Sequence, residues 1–162
     1  MTLPLPIQNM IYLYTDGSSR GNPGPGGYGA ILRFGPHEKE LTQGFRLTTN
    51  NRMELLAVIV GLESVTKPEL PITVVTDSKY VVDAVDKKWV FGWEKKTDFG
   101  KKANADLWRR FLKVYRQRSV HFQWVRGHNG HPENERCDQL AVHSAVRGPL
   151  LVDAAYEAEV GR

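Results

Sequence analysis

Apolar and polar positions alternate through MIYLYTD (10–16), a run rich in β-branched and aromatic residues. That pattern predicts a strand with Ile11 and Leu13 on one face and Tyr12, Tyr14 and Asp16 on the other. GSSRGNPGPGG (17–27) interrupts it as a glycine- and proline-rich loop, and YGAILRFG (28–35) and ELTQGFRLT (40–48) resume it around a turn at 36–39. Three such strands in succession predict an antiparallel meander. The period then lengthens. Across 49–65, Leu55, Leu56, Val58, Ile59 and Leu62 form a helical stripe, with Asn50 or Asn51 as the cap. PITVVTD (71–77) is apolar on both faces, as a central parallel strand would be. Helices follow over 78–90 and 105–118, then a strand over 120–127 and a helix over 132–147 with proline in its first turn. The order βββαβααβα predicts an α/β fold: a five-stranded mixed sheet, antiparallel meander plus parallel strands, with helices on both faces. Residues 1–147 then make a single domain, and 148–162 an acidic, weakly patterned tail expected to be loosely attached.

Four acidic residues in these elements each have an ordinary explanation. Asp16, before Gly17, reads as a turn residue. Asp77, ahead of a helix, reads as a cap, and Glu54 as a first-turn acid meeting the helix dipole. Asp138 reads as surface decoration at the edge of a buried stripe. Jointly these explanations weaken. In an open α/β sheet, chemistry gathers at the carboxyl ends of the parallel strands, and Asp16 and Asp77 both stand there, each after a threonine. If strands one and four are adjacent and parallel, the two carboxylates face each other across one strand spacing, ~4.8 Å. Bare carboxylates ~4 Å apart repel by about 4 kcal/mol at an effective dielectric of about 20. A shared proton or bound cations must relieve that repulsion, and oxygen-only ligation with open positions suits Mg²⁺ or Mn²⁺. Metal binding is the better account.

Charge adds a partner. The net charge is +4, yet the 87–118 segment alone carries eleven basic residues against three acids. Trp89, Trp93, Phe99 and Trp108 are interleaved among them. A solvated helical face is the plain reading of such a run; cations mixed with aromatics suit a nucleic-acid groove better. At 162 residues with 41% hydrophobic content, the chain can bury its own core. It contains no apolar run of the ~20 residues a membrane span needs. Residues 1–9 lack the pattern of a signal peptide, and the single cysteine, Cys137, has no internal disulfide partner. A cytoplasmic location is therefore expected.

GHNGHPENERCD (127–138) concentrates two histidines, three acids and that cysteine. Structural zinc wants four ligands in compact pairs, and no second Cys or His pair exists. Cys137 reads as a small buried hydrophobe, and His131 as a structural residue near the helix cap. His128 differs: in a glycine-flanked loop after strand five, it can change charge near neutral pH and reach a phosphate.

TDGSSRGNPGPGGYGAIL, TTNNRMEL, TDSKYV and RGHNGHPENERCDQLA, in this order and spacing, closely resemble the bacterial type 1 ribonuclease H family over about residues 10–147. The resemblance implies a ribonuclease H-like fold and a quartet of Asp16, Glu54, Asp77 and Asp138 that binds two Mg²⁺ ions, Mn²⁺ being an alternative. It implies cleavage of the RNA strand of an RNA–DNA hybrid, with His128 in an auxiliary role. It also implies RNA-strand contacts from Asn22 and Asn50 and a DNA-phosphate pocket at Thr49 and Asn104. A basic grip would come from Trp89, Trp93, Lys95, Lys96 and neighbouring lysines. Lys79 stands where many relatives carry glutamine, and the 93–108 segment is shortened and contains Glu94; both put those contacts in doubt. The implied enzyme is a monomer with a hybrid duplex as partner and no membrane association. Two alternatives share the fold: a non-catalytic hybrid-binding module, and an integrase-like polynucleotidyl transferase. A small-molecule hydrolase is disfavoured because GxSxG, HExxH and P-loop patterns are absent.

Overall fold

A computed structural model describes residues 9–127 and 130–161. The meander forms from β1 (Ile11–Ser19), β2 (Gly24–Phe34) and β3 (His37–Thr48). Both strands flanking the first turn reach further into the glycine-rich stretch than its composition suggests. Asp16 pairs with Gly29 and Ser19 with Gly26, so hydrogen bonding overrides weak strand propensity there. After α1 (Asn50–Glu63), β4 (Pro71–Thr76) lies parallel to β1 with Tyr14 opposite Val75, and β5 (Ser119–Trp124) lies parallel to β4. The sheet order is β5-β4-β1-β2-β3-β6.

Helices cover both faces, as expected. One core holds Leu13, Ala30, Ile72 and Val74 under α1, α2 (Lys79–Asp86), α3 (Trp89–Glu94) and α4 (Ala105–Tyr115). Trp108 and Phe111 are fully buried in it. The opposite face is thinner: Tyr14, Ile31 and Val75 pack on Cys137 of α5 (Pro132–Val146). Gly29 permits that approach, since a Cβ there would sit 2.3 Å from the Cys137 carbonyl. The thiol is buried, and desolvation pushes its pKa upward, consistent with a packing role.

Three expectations change. The cap of α1 is Thr49, whose Oγ1 accepts from the Arg52 N–H at 3.2 Å, not Asn50 or Asn51. The helix expected over 78–90 stops at Asp86, because Lys88 turns left-handed (φ 65°) and α3 starts afresh.

The third concerns the tail. It contributes a sixth strand, β6 (Leu150–Leu151), parallel to β3, and a short helix, α6 (Ala154–Val160). Its anchor is ionic. The Arg52 guanidinium, only 2% exposed, donates through Nε and Nη2 to Asp153 at 2.8 and 2.9 Å. It also donates to both oxygens of Asp106 at 2.9 and 2.8 Å, while Thr48 Oγ1 donates to Asp153 at 2.8 Å. A cation so deeply buried must be paired, and the tail supplies one of its two partners. No helix among the described residues is long and apolar enough to cross a membrane.

Candidate active site

The parallel pairing of β1 and β4 determines what happens at their carboxyl ends. Asp16, still inside β1, and Asp77, just past the end of β4, stand at the same height, continuing the register of Tyr14 opposite Val75. Glu54 arrives from the first turns of α1, which crosses directly behind β1. Gly17 makes the crossing close: a Cβ there would lie 2.3 Å from the Glu54 backbone nitrogen and 2.4 Å from the Met53 carbonyl carbon. No side chain fits. As a result, one oxygen from each of Asp16, Glu54 and Asp77 lies within 4.8 Å of the others. Asp138, on α5, lines the same cleft with Asp16, Asp77, Gly127, His131 and Asn134, although it stands outside that tight trio.

The trio is crowded and poorly solvated. Asp16 is 8% exposed and Glu54 6%. Burial, reinforced by the charge of Asp77, raises the Asp16 pKa to about 7. Burial also pushes Glu54 well above the ordinary carboxylate range, and the charges of Asp16 and Asp77 add to it. Two contacts compensate in part: a side-chain hydrogen bond with Glu54, and the Gly17 N–H, which donates to Asp16 Oδ1 at 2.9 Å. Glu54 Oε2 is buried and has no hydrogen-bond partner. An orphaned carboxylate oxygen beside two further acids fits a divalent cation, the group whose charge would lower all three pKa values. His131, the neighbouring imidazole, caps α5 without a side-chain hydrogen bond to the helix.

This chain belongs to the RNase H family. The model of that family, described as RNase H, matches residues 8–146. A Ribonuclease H of Pectobacterium atrosepticum is 48% identical over 157 residues, spanning 94% of this chain and all of the relative. One from Desulforamulus reducens is 52% identical over 147 residues, 88% of this chain and 92% of its own. Among solved structures, LC9-RNase H1, described as a type 1 RNase H with the type 2 active-site motif, superposes with a TM-score of 0.76 at 30% identity. It covers all of this chain and 84% of its own. RNase H1 from Halobacterium salinarum gives 0.63 at 26% identity, over 83% and 96% of the two chains.

Within this family member, the remaining candidates fall into two groups away from the acids. Asn22, Thr49 and Asn104 share one shallow pocket. Asn22 Oδ1 accepts from the Asn50 N–H at 3.1 Å. Asn104 accepts from Arg52 at 3.3 Å and donates to the Tyr80 hydroxyl at 2.9 Å. The second group surrounds α3. Trp89 is 47% exposed beneath the Lys87 ammonium, whereas Trp93 is half-buried, its ring 6.0 Å from that of Trp108. Lys95 and Lys96 are exposed at the end of α3. Glu94, suspected of weakening this surface, is engaged by Arg116. Lys79 stacks over the Trp124 ring at 4.9 Å, and Trp124 Nε1 donates to the Asp77 carbonyl at 3.1 Å. Sequence reasoning missed Trp124, whose place in a strand hides its contact with a site residue. It also missed Arg52, Asp106 and Asp153, charges on three separate elements that nothing local links. His128 lies outside the described residues.

Proposed function

We propose that this chain is a metal-dependent endoribonuclease that hydrolyses the RNA strand of RNA–DNA hybrids, leaving 5′-phosphate and 3′-hydroxyl ends. The observation that carries this reading is the convergence of three buried or half-buried carboxylates, one with an unpartnered oxygen, in a chain of this family. Asp16, Glu54, Asp77 and Asp138 hold the metal, with Asp16 central. When bound there, two Mg²⁺ ions, or Mn²⁺, supply acidity to an attacking water and neutralise charge at the leaving oxygen. The protein's own contribution is positional. β1, β4 and α1 hold the trio rigidly, and the Gly17 N–H orients Asp16. His128 assists proton transfer and product departure without being indispensable.

Hybrid selectivity needs one detector for 2′-hydroxyls and another for a strand without them. Asn22 and Asn50 face the RNA strand in this reading, and Lys79, over the Trp124 ring next to Asp77, contacts the hybrid from another side. Thr49 and Asn104 take a DNA phosphate at the N-terminus of α1, where the helix dipole favours an anion. Trp89, Trp93, Lys95 and Lys96 grip the DNA backbone beyond. The enzyme acts as a monomer in the cytoplasm.

The test is a set of labelled duplexes. With Mg²⁺, RNA–DNA hybrid is cut in its RNA strand, while duplex RNA, duplex DNA and single-stranded RNA are spared; EDTA or Asp16→Asn abolishes cutting. Binding without cleavage would leave a hybrid-binding module, and joining of DNA ends would favour a transferase.

A further inference from the structure

Two shallow pockets on the surface beside α1 and α4 share a single acidic side chain. Asn22, Thr49, Asn104, Tyr156 and Glu159 wall the first. Lys101, Lys102 and Arg109 line the second with Asp98 and Asp106, together again with Glu159. Glu159 belongs to α6, the helix of the segment expected to be a loose tail. That helix has a defined seat. Asp153, immediately before it, pairs with Arg52, and Glu157 pairs with Arg46 at 2.8 Å. Tyr156 places its ring 5.7 Å from the same guanidinium. Arg52 also reaches Asn104, and its backbone N–H bonds to Thr49. One buried arginine therefore contacts Thr49 and Asn104 of the first pocket and holds the helix that forms its outer wall.

The charges around this pocket do not balance in favour of an anion everywhere. The N-terminus of α1 and the ammonium groups of Lys101 and Lys102 attract phosphate, whereas Arg109 is already paired with Asp98 at 3.7 Å. Arg52 adds little, being matched by Asp106 and Asp153. Glu159 opposes. It is exposed, and no hydrogen bond or ion pair occupies its carboxylate among the described residues. A packing or capping role does not account for it, and it lines the pocket together with Thr49 and Asn104.

We propose that Glu159 sets the affinity of the DNA-phosphate pocket: its carboxylate weakens the phosphate held at Thr49 and Asn104, making α6 a working part of the hybrid-binding face. The inference rests on the assignment of that pocket under the proposed function. A unit charge acting through a wet pocket over several ångströms changes binding by roughly two- to fivefold. Too tight a hold on the DNA strand slows departure of the product duplex, so a modest penalty serves turnover.

The experiment compares Glu159→Gln and Glu159→Lys with the unmodified enzyme on a hybrid of fixed sequence at low salt. Glu159→Gln should lower KM roughly two- to fivefold without raising kcat, Glu159→Lys should lower it further, and both gains should shrink as salt rises. Unchanged melting temperatures would exclude an indirect effect of folding. Hybrids carrying one neutral methylphosphonate, walked along the DNA strand, then separate the two layers of the reading. At the pocket's phosphate, neutralisation should weaken the unmodified enzyme and abolish the gain from Glu159→Gln. An unchanged KM for both variants overturns the proposal, as does a gain indifferent to which phosphate is neutral. If no single phosphate matters more to the unmodified enzyme than to Thr49→Ala, the pocket assignment itself fails, and the inference fails with it.

Discussion

Replacing Asp16 by asparagine should stabilise the protein when metal is absent. The folded chain raises this carboxyl from 3.8 to about 7, mainly through burial and then through the charge of Asp77. Between those two values the folded state retains a proton that the unfolded state has released. Metal-free stability therefore falls as pH rises through the window from about 4 to about 7. A tenfold change in proton affinity corresponds to ~1.4 kcal/mol, so the ionised carboxylate costs at most ~4 kcal/mol at neutral pH. Asparagine removes the charge but keeps the size and the oxygen that accepts from Gly17, at the expense of a buried amide to be satisfied. A net gain of about 2 kcal/mol follows, or ~4–8 °C in Tm for a chain of this length. Denaturant titrations in EDTA at about pH 8 and about pH 5 would measure it, repeated in excess Mg²⁺. The variant should be more stable at the higher pH, and the gap should close near pH 5, where the unmodified chain is already protonated. Mg²⁺ should stabilise the unmodified chain strongly and the variant weakly. Loss of stability on substitution at both pH values, or a metal-free stability flat across the window, would refute the idea that charge crowding at the trio works against folding.

Four other outcomes are expected. Gly17→Ala drives a methyl group into the α1 backbone, so it should cost more than ~2 kcal/mol and abolish cleavage; a fully active, equally stable variant would show that Glu54 does not depend on this approach. Asp153→Ala leaves Arg52 buried with only Asp106 and should lower stability by ~3 kcal/mol in urea, whereas a loss below ~1 would mean that the ionic anchor is dispensable. Joint replacement of Lys95, Lys96, Lys101 and Lys102 by alanine should flatten the dependence of log KM on log salt by about two to four units, and an unaltered slope would remove this surface from hybrid binding. His128→Ala should slow turnover yet leave Mg²⁺-dependent cleavage measurable; complete inactivity in a folded variant would make this histidine essential rather than auxiliary.

The parts legible in advance were those with short-range signatures. Alternation, period change and the proline at the start of α5 located nearly every strand and helix, because each reflects local geometry. The repeated Thr-Asp step at two strand ends announced the meeting of Asp16 and Asp77, since parallel pairing alone brings them together. Glu54 was harder. Its burial depends on how closely α1 crosses β1, which a glycine thirty-seven residues upstream controls. The docked tail was illegible for a related reason. Composition describes 148–162 as acidic and weakly patterned, and nothing near it reveals that one of its acids answers an arginine inside α1. The break at Lys88 likewise has no glycine or proline to announce it.

The Arg52–Asp153 pair spans 101 positions of the chain. A ribosome therefore delivers the cation long before its second counter-charge. A nascent chain that has emerged only as far as α5 already contains every acidic site residue, yet it must either leave this guanidinium in water or bury it half-neutralised. Completion of the domain is thereby tied to the segment that follows α5, and a product truncated before Asp153 would expose a loosened start of α1 to proteases even though Asp16, Glu54, Asp77 and Asp138 were all present.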